Sequence, residues 1–305
     1  MQRGSDVAES ESCVRLIAEI GCNHLGEMDV ARQLIEAAAC RQVDVAKFQK
    51  RDPRTLLSPE QYDAPHPNPE HAYGETYGAH REFLEFDPDQ HKQLKAWCEE
   101  RGIEYGVSVW DVVSARAIVE LNPRTIKVPS ACNLDAELLD FVCEYHEGEI
   151  HISLGMTTKS EELSILRALD AKGRAHDAVL YACTSAYPVP AEDVCLLEIQ
   201  RLSSAYGHEV RAVGFSGHHL GTALDIAAMT LGAAHIERHI TLDRRFKGTD
   251  HAASLEPDEI GKLACDLAAA GAALTLKRSD ILPVELAARE KLKTRTTAGE
   301  RFCDD

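Results

Sequence analysis

The stretch 209–241, EVRAVGFSGHHLGTALDIAAMTLGAAHIERHIT, decides how this chain is read. Residues 210–215 form an apolar run that reads as a strand. A short polar turn then holds Ser216, His218 and His219, and helical spacing of apolar residues follows over about 222–231. A second strand over about 234–240 carries His239 near its end. Strand, turn, helix, strand is the unit that builds parallel sheets. Parallel neighbours present their ends on one edge, so His218 and His239 come side by side although 21 positions separate them. Two convergent imidazoles at strand ends suit a divalent transition metal. The alternative is one buried structural histidine and one exposed one.

Outward from this stretch the same alternation repeats. Strands are predicted over 14–20, 43–49, 103–108, 125–129, 149–154 and 178–183, and helices over 28–41, 88–101, 112–121, 135–146, 160–172, 192–206 and 257–277. That makes eight strands, each followed by a helix. Such a repeat builds either an open doubly wound sheet or a closed barrel, and eight units in 305 residues favour an α/β fold of the (β/α)8 TIM-barrel class. The segment 50–86 interrupts the rhythm and reads as a lid. The expected organisation is a disordered start (1–12), one barrel domain (13–280) and a helical tail (281–305).

Composition narrows the function. Asp and Glu number 50 against 33 Lys and Arg, a formal charge of −17, which argues against nucleic acid and anionic membranes as partners. The first residues, MQRGSDVAESES, lack a signal pattern, and no apolar run reaches membrane-spanning length. Ten scattered cysteines without a CxxC read as reduced thiols of a cytoplasmic protein.

In a barrel of this kind the chemistry gathers where strands end. Those positions are polar here: Glu19, Asn23 and His24; Lys47 and Gln49; Ser108; Lys127 and Ser130; Ser153; Thr184, Ser185 and Tyr187; Ser216 and His218; and His239. Lysines inside apolar strands are costly to bury unpaired. Lys47 and Lys127 with the serines around them make a site for a phosphate plus a carboxylate. The competing reading pairs the two lysines with Glu19 and Glu237 as structural ion pairs. Asp250, on the loop after the last strand, is a candidate general base or holder of a metal-bound water.

Taken together, IAEIGCNHLGEMDVARQLIEAA, VAKFQ, KVPS, ISLGM, ACTSAYPVP, VGFSGHH, GAAHIERHITLD and KGTDHAASL resemble the sialic acid synthases, the phosphoenolpyruvate-dependent N-acetylneuraminate synthase family, over about residues 14–275. The resemblance implies a (β/α)8 barrel that condenses phosphoenolpyruvate with the open-chain aldehyde of an aldose, releasing phosphate and a 3-deoxy-2-keto sugar acid. It assigns His218 and His239 to a divalent metal, Mn²⁺ first, with Mg²⁺ or Co²⁺ as alternatives. It places Lys47, Ser108, Lys127, Ser130, Ser153 and Ser216 around phosphoenolpyruvate, makes Glu19 a proton-transfer group beside Lys47, and puts Gln49, Ser185, Tyr187 and Asp250 on the acceptor or metal-water side.

The chain also departs from the family pattern. Cys132 stands where an acidic residue holds the sugar, and Ser185 where an amide is expected. Val109 and Trp110 replace small residues, and Gly217 and His219 alter the motif around His218. The family's C-terminal antifreeze-like domain is not expected within this chain. An altered acceptor and a homodimer assembled through barrel helices follow as expectations. A metal-dependent lyase, a phosphate-releasing hydrolase and a non-catalytic barrel are the alternatives.

Overall fold

The structure, a computed structural model, describes residues 14–293. The disordered start expected over 1–12 and the far end of the tail lie outside the described residues. The strands are β1 (Arg15–Gly21), β2 (Val45–Lys50), β3 (Glu104–Val109), β4 (Thr125–Val128), β5 (Glu149–Ser153), β6 (Ala178–Cys183), β7 (Ala212–Gly217) and β8 (His235–His239). They close into one barrel in sequence order, every neighbouring pair parallel, with β8 returning to β1. The barrel reading of the alternation is therefore correct.

Strand geometry sends successive side chains to opposite faces. In β8, Ile236 joins the apolar layer between barrel and helices, and Arg238 reaches outward to Asp225 on the helix Ala223–Thr230. His235, Glu237 and His239 are left facing the barrel interior. The outer layer is apolar and fully covered: Leu34 and Ile35, Leu94, Ile118, Leu138, Ile165, Ile199, Ile260 and Leu263 are all buried. Each such side chain contributes about 1.5–3 kcal/mol relative to exposure.

Three sequence expectations change in detail. The segment 50–86 is built rather than loose, containing the helices Pro53–Leu56, Pro59–Asp63 and Tyr77–Phe83 and a single 3₁₀ turn, Pro69–His71. Each starts on a side-chain cap, from Asp52, Ser58, Thr76 and Asn68 respectively. The segment is tied to the loop after β8, where the Tyr73 hydroxyl donates to the Lys247 carbonyl and the Gly248 N–H donates to His71 Nδ1 at 3.2 Å. The helix expected over 192–206 begins only at Glu198, because Cys195 adopts φ +53°, which no helix accommodates. The helix expected over 257–277 ends at Ala273.

Residues 14–271 belong to one compact unit and 272–293 to a second, small one holding the helix Leu286–Leu292 and a Lys277–Glu285 ion pair at 3.0 Å. Among the described residues no helix is long and apolar enough to cross a membrane, and the eight described cysteines are all unpaired.

Candidate active site

A cavity of about 280 Å³ opens at the C-terminal mouth of the barrel. β1 and β2 bring Glu19, Lys47 and Gln49 to it. β3, β4 and β5 and their following turns bring Ser108, Lys127, Ser130 and Ser153. The far wall carries Ser185, Tyr187, Ser216, His218 and His239. Two residues given acceptor-side roles by the family pattern lie elsewhere, as do Asn23, His24 and Thr184 among the strand-end residues. Cys132 lines a neighbouring cavity of about 190 Å³ with Arg51, Leu57 and Tyr77, and joins the apolar core. The turn in which its N–H donates to the Pro129 carbonyl at 3.0 Å carries it past the mouth, and Trp110 and Ala131 border both cavities. Cys132 thus lines the neighbouring cavity rather than the main one. Asp250 lies in a narrow cleft beside Asn23, His80 and Arg81. Burial would raise its carboxyl, but His239, the Thr249 hydroxyl and Arg51 outweigh it and hold the carboxyl below its ordinary value.

Both lysines are buried, at 1% and 3% exposure, and both are paired. Lys47 Nζ makes a short contact to Glu19 and donates to Ser108 Oγ at 2.7 Å. Lys127 Nζ donates to Glu237 Oε1 at 2.6 Å and lies 4.5 Å from the Tyr181 ring centre. Glu237 Oε2 is 3.6 Å from Lys47 Nζ, so the four charges form one balanced cluster. Burial alone would lower Lys47, but Glu19 and Glu237 raise it above its ordinary value. Lys127 is lowered, by burial first, with Lys47 adding to the effect against Glu237. Burial would raise Glu237, yet the two lysines pull it well below the usual carboxylate range. The ion-pair reading and the anion-site reading therefore describe the same lysines, because both pairs line the cavity. An entering anion competes with the carboxylates for the lysines.

The histidines meet at the opposite side, with ring centres 5.6 Å apart and Tyr187 4.2 Å from His218. His218 Nδ1 lies 3.1 Å from the Thr184 carbonyl, which calls for a proton on Nδ1 and leaves Nε2 with its lone pair. Burial, with His239 adding to it, lowers the His218 imidazole to about 3, so it is neutral at ordinary pH. His239 Nδ1 is buried without a hydrogen-bond partner among the described residues. One imidazole with a fixed tautomer and one with an orphaned nitrogen fit a divalent metal. Glu19 stands beside them in register with His239. A Cβ built on Gly21 (φ +54°) would sit 3.1 Å from Glu19 Oε1 and 3.4 Å from His239 Cε1, so glycine is what lets them converge.

Two further devices shape the mouth. A Cβ on Gly155 would run into the Ser185 and Ser130 hydroxyls, and Ser130 Oγ accepts from the Gly155 N–H at 3.1 Å. Arg238, fully buried, donates to the carbonyls of His219 (2.6 Å) and Gly221 (2.8 Å) and pairs with Asp225 at 2.5 Å, clamping the turn that carries His218. Sequence reasoning did not name Glu237 or Cys183 as site residues, though both line the cavity. Strand alternation from His239 was the available signal for Glu237.

Residues 34–278 match the NeuB family. The chain belongs to the NeuB family. N-acetylneuraminate-9-phosphate synthase of Homo sapiens is 36% identical over 280 residues, covering 91% of this chain and 76% of that protein. N,N'-diacetyllegionaminic acid synthase of Campylobacter jejuni is 33% identical over 251 residues, 82% of this chain and 74% of that one. Among solved structures, an N-acetylneuraminic acid synthetase from Leptospira borgpetersenii in complex with citrate superposes with a TM-score of 0.77 at 25% identity, covering 93% and 94% of the two chains. A truncated 3-deoxy-D-arabino-heptulosonate 7-phosphate synthase from Thermotoga maritima, 13% identical with a TM-score of 0.65, shares the fold. The resemblance to sialic acid synthases read from the motifs is thus the correct one, and the mouth of this NeuB barrel is where its family's chemistry belongs.

Proposed function

We propose that this NeuB-family chain condenses phosphoenolpyruvate with the aldehyde of an aldose, giving a 3-deoxy-2-keto sugar acid and inorganic phosphate. The observation that carries the reading is the single cavity in which Lys47, Lys127 and the serines face the His218–His239 pair. In the balanced reaction C3 of phosphoenolpyruvate bonds to the aldehyde carbon, water adds at C2, and phosphate leaves as C2 becomes a ketone. Lys47 and Lys127 offer charge to the phosphate and carboxylate, and Ser108, Ser130, Ser153 and Ser216 offer hydroxyl donors. Glu19 lies against both Lys47 and Gln49 (2.7 Å) and relays a proton between the water that adds at C2 and the aldehyde oxygen that becomes a hydroxyl. His218 and His239 would hold a divalent metal, Mn²⁺ by family resemblance, which when bound supplies Lewis acidity to an aldehyde oxygen.

The acceptor side is this chain's own. Trp110 and Met156 line the cavity next to Ser185 and Tyr187, and the buried Trp110 indole N–H has no partner among the described residues. We assign the far end of the acceptor to this wall, with Gln49 and Asp250 toward the metal. The homodimer and the cytoplasmic setting expected from the sequence belong to the same proposal. Phosphate release from phosphoenolpyruvate, measured with Mn²⁺ and a panel of aldoses, tests the reading. Release that requires an aldose supports condensation. Equal release without any aldose would replace it with hydrolysis.

A further inference from the structure

The interior of a (β/α)8 barrel is usually filled by layers of branched apolar side chains. Below the cavity this barrel departs from that pattern. Ile17, Val45 and Val179 are present, but Glu149, His151 and His235 converge there beside Tyr181, all buried. His235 is 5% exposed, and neither of its ring nitrogens has a hydrogen-bond partner among the described residues. Leaving a buried polar group unpaired is costly, so this imidazole calls for a ligand.

The geometry points to a second divalent metal site at the base of the barrel, formed by Glu149, His151 and His235, and we propose it as a structural site for a borderline transition metal, Zn²⁺ first. One donor atom from each residue lies within 4.8 Å of the other two. A four-coordinate ion with bonds near 2.1 Å sets its ligands about 3.4 Å apart, so the side chains need to close by only about an ångström. His151 Nε2 and Glu149 Oε2 are already 3.3 Å apart. His151 Nδ1 lies 2.8 Å from the Tyr181 hydroxyl, the kind of outer partner that orients a metal-bound imidazole. A Cβ on Gly214 would come within 2.7 Å of Tyr181 Cε1 and 3.1 Å of His235 Cβ, so that glycine makes room for both rings.

The surrounding arginines set which ion fits. Arg124 and Arg211 each approach Glu149 Oε1 at 3.3 Å, which orients the carboxylate with Oε2 toward His151. Arg15 Nη1 is 3.5 Å from Oε2, while its Nη2 is held by Glu104 at 2.5 Å. This positive surround disfavours hard cations bound by charge alone. It tolerates an ion whose affinity comes from two neutral imidazoles, the order Zn²⁺ and Co²⁺ ahead of Mn²⁺ and Mg²⁺. The site is separate from the mouth, since His235 and His239 are four residues apart along β8, about 13 Å at strand rise. It would bridge β5 and β8 across the interior, and the base of such barrels is where stability resides.

The test uses the full chain, stripped with chelator, in wild-type form and as His218→Ala/His239→Ala, in which the mouth histidines are gone. Co²⁺ absorption and Zn²⁺ calorimetry count ions per chain, and circular dichroism checks folding. The proposal expects the double variant to bind one Co²⁺ or Zn²⁺ in the low-micromolar range with a melting point several degrees higher when loaded. It also expects His235→Asn and His151→Asn, each in the otherwise wild-type chain, to bind one ion fewer than wild type. A folded double variant that binds no ion, or an unchanged ion count in both single variants, would overturn it.

Discussion

Replacing Lys127 by methionine separates a structural ion pair from an anion-binding lysine. Lys127 is 3% exposed and donates to Glu237 at 2.6 Å, and its loss leaves the buried Glu237 charge with Lys47, 3.6 Å away, and the Ser216 hydroxyl at 3.2 Å. Removing one partner of a buried pair typically costs about 3–5 kcal/mol, and the remaining lysine holds the value near the lower end. At roughly 2–4 °C per kcal/mol the melting point falls by about 6–12 °C. Adding Glu237→Gln removes the stranded charge, so the double variant recovers most of that stability. Phosphoenolpyruvate affinity behaves differently. A charge-assisted hydrogen bond is worth about 1.5–3 kcal/mol, so calorimetry should show roughly 10- to 150-fold weaker binding in the single and the double variant alike. If the double variant binds phosphoenolpyruvate as wild type does, Lys127 is a structural partner of Glu237 and the anion-site reasoning is wrong.

Other consequences concern pH, space and the mouth turn. His24 and His91 are both lowered to about 3, by burial first and then by Arg51 and Lys50 respectively. Both folded values lie below the unfolded value near 6.5, so stability is full above pH 6.5 and declines as the pH falls toward 3, by about 2 kcal/mol per histidine at pH 5. Melting curves at pH 7.5 and 5 should show a smaller acid loss for His91→Gln than for wild type, and equal losses would contradict this. Gly155→Ala, whose Cβ meets the Ser130 and Ser185 hydroxyls, should weaken phosphoenolpyruvate binding at least tenfold while costing about 1–3 kcal/mol of stability in a denaturant melt. Arg238→Met breaks the buried pair with Asp225 and frees the 218–221 turn. Unfolding should become easier by about 3–5 kcal/mol and Mn²⁺ binding at the mouth weaker, whereas unchanged Mn²⁺ affinity would mean that the clamp does not position His218.

Much of the barrel was legible in the sequence because the signal is periodic. Parallel strands buried on both faces read as short apolar runs, and each was followed by a helical pattern. Cys195 escaped that reading, since nothing in CLLE announces a positive φ before a helix. The segment 50–86 looked irregular because its order comes from four caps and from bonds to residues 247 and 248, distant in sequence. Within the site, residues at strand ends were visible one by one, as charged or hydroxyl groups in apolar surroundings. Cys132 was placed by motif position alone, and a turn of three residues moved it into the adjoining cavity. The base cluster of Glu149, His151 and His235 was hidden for a geometric reason. His235 belongs to β8 and the other two to β5, and only barrel closure brings them together.

The proposed reaction requires one site to take phosphoenolpyruvate and a divalent metal together. Lys47, Lys127, Glu19 and Glu237 balance one another, so a bound metal would supply the positive charge that an added phosphate and carboxylate require. The direct measurement is calorimetry of phosphoenolpyruvate against Mn²⁺-loaded protein, metal-free protein and the His218→Ala variant. Binding to the loaded chain should be micromolar, and at least tenfold weaker in the other two. Equal affinity in all three would contradict it, leaving an anion pocket to which the histidine pair contributes nothing.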